Sequence, residues 1–219
     1  MSNKRLIVAL DYSDTEDVKA LLSQLNPNRC MVKVGLQLYL SQRESILEMI
    51  SNAGFDIFLD LKLHDIPNTV SKALSEIEKF NVLMTTIHLQ GGKEMIEAAL
   101  SSAQSTKIIG VTLLTSLNDS HIQSLYGSVF SDQFARLISL ANDTKIDGLV
   151  CSANELNLLH EYQGIKVVPG IRNKALNDDQ QRTMTSSEAY NLGADYIVVG
   201  RPITQSENIE EAIKEYEYR

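Results

Sequence analysis

Residues 56–63 have the sequence DIFLDLKL, a short apolar run that carries charged side chains. Because side chains on a β-strand alternate between its two faces, one face is wholly aliphatic and is expected to pack under helices: Ile57, Leu59, Leu61 and Leu63. The other face holds Phe58, Asp60 and Lys62. Burying an aspartate and a lysine is costly unless they are paired, so this face indicates a functional site inside the fold.

Seven further runs have a similar length and composition. The eight predicted strands cover residues 5–11, 30–36, 56–63, 83–89, 107–114, 147–152, 165–170 and 195–201. Apolar residues at three- and four-residue steps predict helices over residues 14–25, 42–53 and 68–80. A capping box at residues 185–188 predicts another helix, and a last one starts near Ser206. Near-continuous apolar strands that alternate with helices indicate a parallel sheet covered by helices.

Eight such units fit either a closed barrel or a doubly wound sheet. No G-x-G-x-x-G follows the first strand, which argues against a dinucleotide-binding sheet. The last unit ends in Val199-Gly200-Arg201, and barrels often bind phosphate after strands seven and eight. The length of 219 residues suits one barrel. We therefore predict an α/β chain with a single domain over residues 1–219, a (β/α)₈ TIM barrel.

Composition narrows the classes of partner. The net charge of −8 disfavours nucleic acid and anionic membranes as partners. No apolar run reaches the roughly 18–20 residues that a membrane-spanning helix needs, and the first apolar run resembles a strand rather than a signal peptide. Cys30 and Cys151 lack metal-site spacing and are expected to be buried, reduced thiols of a cytoplasmic enzyme. The four histidines are scattered and predict no metal site.

Further charged residues lie near the ends of the neighbouring predicted strands. Lys33 shares the inward face of the second strand, Asp11 ends the first, and Asp65 follows the third. Barrel enzymes place their chemistry at this end of the strands. The formal charges of Lys33, Lys62 and Asp60 sum to +1, and the charge of Asp65 brings the sum to zero. A purely structural ion-pair network is the alternative, but apolar replacements of such networks are often neutral or stabilising, so a proton-donating array is favoured.

Residues 60–69, DLKLHDIPNT, resemble the D-x-K-x-x-D-I-P-x-T signature of orotidine 5′-monophosphate decarboxylases. Weaker matches follow in the family's order at residues 10–11, 32–35, 88–92, 114–116, 169–172 and 199–202. Their joint order and spacing make the resemblance specific over the whole chain. It implies a homodimeric barrel that converts orotidine 5′-monophosphate to UMP and CO₂, in pyrimidine synthesis, without a metal or cofactor.

The resemblance also implies roles for individual residues. Lys62 is expected to protonate C6 of the pyrimidine as CO₂ departs from beside Asp60, while Lys33 and Asp11 contact the ribose. The neighbouring subunit is expected to contribute Asp65, Ile66 and Thr69. Contacts to the base and the phosphate are expected from Thr115, Pro169, Arg172, Gln180, Gly200 and Arg201.

Residues 173–181 (NKALNDDQQ) follow the seventh predicted strand. Their composition is that of an ordinary surface loop. With Arg172 before the segment and Gln180 within it, a lid that closes over the phosphate is the functional interpretation. Gln181 is the alternative to Gln180 for the contact with the substrate, because the segment is about one residue shorter than the family form.

Three other functions compete with this one. Metal-dependent relatives share the D-x-K-x-x-D core but carry a glutamate on the second strand, where this chain has Lys33, a cation that opposes a divalent metal. An epimerase-like barrel needs paired His and Asp ligands, which the sequence lacks. A non-catalytic phosphate binder would keep Gly200 and Arg201 but has no need for inward Asp60 and Lys62.

Overall fold

The computed structural model describes residues 4–114, 116–173 and 184–218. In this part of the chain, eight parallel strands form a closed barrel in chain order, with the eighth strand pairing with the first. The strands are β1 (Leu6–Leu10), β2 (Cys30–Gly35), β3 (Ile57–Leu63), β4 (Val82–His88), β5 (Lys107–Val111), β6 (Gly148–Val150), β7 (Ile165–Pro169) and β8 (Tyr196–Val199). The predicted (β/α)₈ barrel is therefore confirmed.

Helices surround the barrel. Their bounds are α1 (Thr15–Leu22), α2 (Leu36–Gln42), α3 (Glu44–Asn52), α4 (Pro67–Ile77), α5 (Gly92–Ser102), α6 (Asp119–Tyr126), α7 (Phe130–Thr144), α8 (Ser186–Asn191), α9 (Arg201–Thr204) and α10 (Ile209–Tyr216). After β6, a 3₁₀ segment at Leu156–Leu159 takes the place of an α-helix. None of the described helices is long and apolar enough to cross a membrane.

The predicted helices are confirmed with shifted ends. The capping box before α8 is present, with Thr185 and Glu188 bonded reciprocally. The helix predicted over residues 42–53 is α3, and an additional helix that was not predicted, α2, precedes it; Arg43, with a φ of 55°, separates the two. The last helix begins at Ile209, because the short α9 and a turn precede it.

The strands carry apolar side chains on both faces. Inside the barrel lie Ile7, Ala9, Met31, Phe58, Met84, Ile109, Val167 and Val198. The opposite face packs against the helices and includes Ile57 and Leu59, with Leu61 and Leu63 at its edge, so the predicted faces of β3 are confirmed. Phe58 is fully buried, and truncating such a side chain to alanine typically costs about 3–5 kcal/mol.

Both cysteines are free and buried, in agreement with the prediction. Burial raises the pKa of the Cys30 thiol to about 12 and raises the pKa of Cys151 as well. Both side chains are therefore neutral thiols near neutral pH, and neither is poised to act as a nucleophile.

Candidate active site

The site is built on an irregularity of β3. Leu59 pairs with Thr85 on β4 and Leu63 pairs with Ile87, so three residues of β3 face the single residue Thr86. Lys62, within this bulge, has a φ of 52°, the left-handed region that side chains other than glycine rarely adopt. Bulges re-aim side chains next to active sites. Here the bulge brings the charged ends of residues 60 and 62 together on the barrel's inner side.

Four charged side chains form a chain of ion pairs across three strand ends. The Lys62 ammonium lies 2.8 Å from both carboxylate oxygens of Asp60. Asp60 Oδ2 also lies 4.0 Å from Lys33 Nζ. Lys33 Nζ in turn lies 3.2 Å from Asp11 Oδ1. Charges therefore alternate in sign along the order Asp11, Lys33, Asp60, Lys62.

Burial divides this array into an inner and an outer part. The side chains of Asp60 and Lys33 are 13% and 14% exposed, Lys62 is 33% exposed, and Asp11 is 65% exposed. Coulombic attraction falls with distance and is screened less between partly buried charges, so the 2.8 Å pair of Lys62 with the largely buried Asp60 is the strongest of the array. Both lysines line the cavity described below, and Lys62 is the more exposed of the two.

A cavity of about 210 Å³ opens beside the array. Lys33, Asp60 and Lys62 form its charged wall. The remaining lining is mostly apolar and includes Phe58, Val111, Leu113, Val150, Val167 and Pro169. Such a cavity suits a flat ring with apolar faces and one anionic edge that meets the charged wall.

The expected phosphate-binding residues follow the neighbouring strands β7 and β8. Arg172 is buried and its N–H bonds to the Met184 carbonyl, which ties together the two ends of the segment between them. Gly200 caps α9, and a Cβ added there would lie 3.5 Å from Asp11 Oδ2. Arg201 is the exposed first residue of α9. Arg172 and Arg201 thus place two cationic residues after neighbouring strands at the same end of the barrel, in a chain of net charge −8.

The expected cross-subunit residues lie at the start of α4. Ile66 is 65% exposed, Thr69 is exposed, and Asp65 accepts a hydrogen bond from the Ile66 N–H at 2.7 Å. Within the described residues, Asp65 has no ion pair within 4.0 Å, so the single chain does not bring it to Lys33 and Lys62. Asp11 supplies the fourth charge of the array in its place.

Comparisons with known proteins agree with this geometry. The sequence model of the "Orotidine 5'-phosphate decarboxylase / HUMPS family" matches residues 4–216. The chain belongs to this family. Relatives named orotidine 5′-phosphate decarboxylase include that of Staphylococcus aureus, 43% identical over 92% of each chain, and that of Saccharophagus degradans, 41% identical over 93% of this chain and 90% of the relative.

A solved structure of the same family matches the fold. The orotidine 5′-phosphate decarboxylase of Lactobacillus acidophilus superposes with a TM-score of 0.86 at 33% identity, over 98% of this chain and 100% of the other. The matched region contains β3 and the bulge, so the array belongs to a barrel of the decarboxylase family.

Sequence patterns missed two residues beside the charged array and the cavity. Thr86 lies between Asp60 and Lys62, and its only signal was a polar residue at the inward position between Met84 and His88 on β4. Ser152 lines the cavity after β6, where its N–H donates to the Glu155 carboxylate at 2.6 Å. Of the predicted contacts, Thr115 and Gln180, together with the alternative Gln181, lie outside the described residues.

His88 ends β4 near the array. Its Nδ1 lies 3.1 Å from Gln90 Oε1, and its ring lies 5.4 Å from that of His64. Burial lowers the pKa of His88 below its ordinary value, the Gln90 hydrogen bond opposes this, and the charges of His64 and Lys62 lower it further. A neutral imidazole is therefore expected beside the lysine. Among the described residues, no group of three or more His, Cys, Asp and Glu side chains could hold a metal ion.

Proposed function

We propose that this chain decarboxylates orotidine 5′-monophosphate to UMP and CO₂, with Lys62 as the proton donor to C6. The observation that carries the proposal is the Lys62 ammonium held 2.8 Å from Asp60 at the wall of the cavity. Breaking the bond between C6 and the carboxylate leaves an electron pair at C6. The ammonium stabilises that negative charge and then transfers a proton to it, and the resulting amine is reprotonated from solvent.

Asp60 has a separate role in this mechanism. Its carboxylate is only 13% exposed and keeps the Lys62 ammonium pointed at the cavity. A substrate carboxylate placed beside it is repelled, and the repulsion ends when CO₂ leaves. Stabilisation of the developing carbanion by Lys62 is the larger contribution, because it acts where charge develops in the transition state.

The remaining contacts divide by the part of the nucleotide they meet. Lys33 on β2 and Asp11 directly after β1 form an ion pair and contact the ribose. Pro169 lines the cavity from the end of β7. The base and the phosphate are held by Thr115, Arg172, Gln180, Gly200 and Arg201. Binding energy from the phosphate, remote from the reacting carbon, then orders the site.

We infer that two copies of this chain share each site. Asp65, Ile66 and Thr69 reach the neighbouring subunit's cavity, where Asp65 joins Lys33 and Lys62. This proposal is supported by the exposure of Ile66 and by the absence of an Asp65 ion pair in the part of one chain that the structure describes.

The proposed chemistry needs no metal. Lys33 lies between Asp11 and Asp60, so its ammonium already occupies the space between the carboxylates that would attract a divalent cation. A metal-dependent activity of the kind that related barrels carry is the outcome to be tested against. Turnover that survives EDTA supports the decarboxylase, and turnover lost with EDTA supports the metal-dependent relative.

The test of the proposed function follows the loss of orotidine absorbance for the wild type, Lys62→Ala and Lys72→Ala. Lys72 is an exposed lysine of α4 and serves as the matched control. We expect the kcat of K62A to fall by about 10²–10⁴-fold, which is the usual contribution of a positioned proton donor. UMP binding should change little in K62A, and K72A should keep wild-type activity. An inactive wild type, or a K62A variant with substantial activity, would contradict the proposal.

A further inference from the structure

The bulge of β3 removes the regular hydrogen-bond partners of its own residues. Three residues of β3, from Asp60 to Lys62, face only Thr86 on β4. A backbone N–H inside a sheet normally donates to a carbonyl of the neighbouring strand, and an N–H left without a partner is unfavourable when buried. The N–H of Lys62 has lost such a carbonyl because of the register shift.

Thr86 supplies the missing partner through its side chain. Its hydroxyl oxygen accepts from the Lys62 N–H at 2.8 Å, and the same hydroxyl donates to Asp60 Oδ1 at 3.0 Å. A threonine hydroxyl has one proton to donate and can accept at the same time, so one group satisfies both contacts. Thr86 is 0% exposed, so water does not compete for either bond.

We propose that Thr86 is a positioning residue for the decarboxylation, acting through the Lys62 backbone and the Asp60 carboxylate. One bond holds Lys62 in its left-handed conformation, and the other fixes the rotation of the carboxylate, so that the ammonium meets both oxygens of Asp60. Thr86 does not itself line the cavity, and it bonds Lys62 at the backbone N–H rather than at the ammonium. This inference rests on the proposed function, because its effect is read through the reaction.

Loss of the Thr86 hydroxyl affects both groups that it bonds, the Lys62 N–H and the Asp60 carboxylate. Without the hydroxyl, the Lys62 N–H loses its partner and the left-handed conformation loses a bond that keeps it in place. Within the described residues, Asp60 Oδ1 then keeps only its bond from the Lys62 ammonium, and the carboxylate is free to turn with that flexible side chain. Relaxation of β3 toward a regular strand would then move the ammonium away from the reacting carbon. A misplacement of about 1 Å can lower a rate by about 10²-fold.

The chain offers a matched control in the adjacent residue. Thr85 is also 0% exposed and its hydroxyl donates to the Leu59 carbonyl at 2.9 Å. It therefore bonds the same two strands, but on the outer face of the barrel, away from the array. Replacing either threonine with valine keeps the shape and removes one buried hydroxyl, so T85V controls for the loss of a buried threonine hydroxyl between these two strands.

The experiment measures kcat, KM, UMP affinity and melting temperature for the wild type, Thr86→Val, Thr86→Ser and Thr85→Val. We expect T86V to lose about 10²-fold in kcat, with UMP affinity within a few-fold of wild type and a melting temperature close to that of T85V. T86S keeps the hydroxyl and is expected to recover most of kcat. T85V is expected to lose stability but little kcat.

A further variant covers the case in which T86V does not fold. Thr86→Cys replaces the hydroxyl with a thiol that is a weak donor and a weak acceptor, so kcat is expected to fall below that of T86S. Equal kcat for T86V and T85V, or for T86C and T86S, overturns the inference while the wild type remains an active decarboxylase. An inactive wild type overturns the proposed function and this inference together.

Discussion

Lys33 is the residue that connects the two carboxylates on the β1–β2 side of the site. Its ammonium lies 3.2 Å from Asp11 and 4.0 Å from Asp60, while its side chain is only 14% exposed. The sequence predicted its inward direction from strand alternation, since Met31, Lys33 and Gly35 share one face. The order of the ion pairs was not predictable, because it depends on how three strands distant in sequence are aligned.

Gly35 leaves the room that this ammonium occupies. A Cβ built on Gly35 would lie 3.0 Å from Lys33 Nζ, although the backbone there is extended and accepts any residue. We expect Gly35→Ala to fold normally, because the flexible end of the lysine can move, but to lose about 10-fold or more in kcat/KM as the ammonium shifts. Kinetics and a melting curve measure both effects. A variant with wild-type kcat/KM would show that the position of Lys33 matters little.

Among the elements, β3 is the one for which strand alternation predicted the two faces correctly but not the backbone path. It correctly assigned Asp60 and Lys62 to the inner face and the leucines to the outer face. It did not predict the bulge, because the extra residues are defined only against β4, whose registers on either side are Leu59 with Thr85 and Leu63 with Ile87. Likewise, α2 lacks a clear amphipathic pattern, since Leu36 and Leu40 are exposed and only Leu38 is buried.

The end of α4 offers a test of pH-dependent stability. Glu78 accepts hydrogen bonds from the N–H groups of Ser105 and Thr106, which lead into β5. Burial acts to raise the pKa of Glu78, but the bonds from Thr106 and Ser105 outweigh it and lower the pKa from 4.5 to about 2. A depressed pKa means that the ionised carboxylate stabilises the fold above pH 4.5, and that this stabilisation is lost as the pH falls toward 2.

We therefore expect Glu78→Gln to lower the free energy of unfolding by about 1 kcal/mol at pH 7, or about 2–4 °C in melting temperature. The difference from wild type should shrink as the pH falls from 4.5 toward 2. Glu76→Gln is the matched control, since Glu76 is exposed on the same helix and pairs with Lys79. Equal effects of E78Q and E76Q across this pH range would contradict the assignment.

At the scale of the whole molecule, the array of one chain is completed within that chain by Asp11, while Asp65 faces outward. If two chains share each site, variants defective in different halves must complement each other. Lys62→Ala and Asp65→Ala are each expected to be nearly inactive alone. Mixed after dissociation, half of the dimers are heterodimers with one intact site of two, so about 25% of wild-type activity should return.

Two controls accompany this complementation. The mixture of Lys72→Ala with Lys62→Ala is expected to give half of the wild-type activity with or without exchange, so it controls for losses during dissociation and reassembly. Native mass measurements of each mixture detect the heterodimer and so report subunit exchange. No recovery in the mixture of K62A and D65A, despite proven exchange, would mean that Asp65 does not serve the partner's site. Recovery near the expected quarter would support the shared site.

Local sequence patterns were enough to predict the class of fold and the end of the barrel that carries the charges. These patterns are strand alternation, helix periodicity and the positions of charged residues within short apolar runs. Three features became evident only in the folded barrel: the bulge at Lys62, the order Asp11, Lys33, Asp60, Lys62, and the position of Thr86 between two of these residues. These depend on the register between strands that are about 20 or more residues apart, which packing of the closed barrel sets and no local pattern contains.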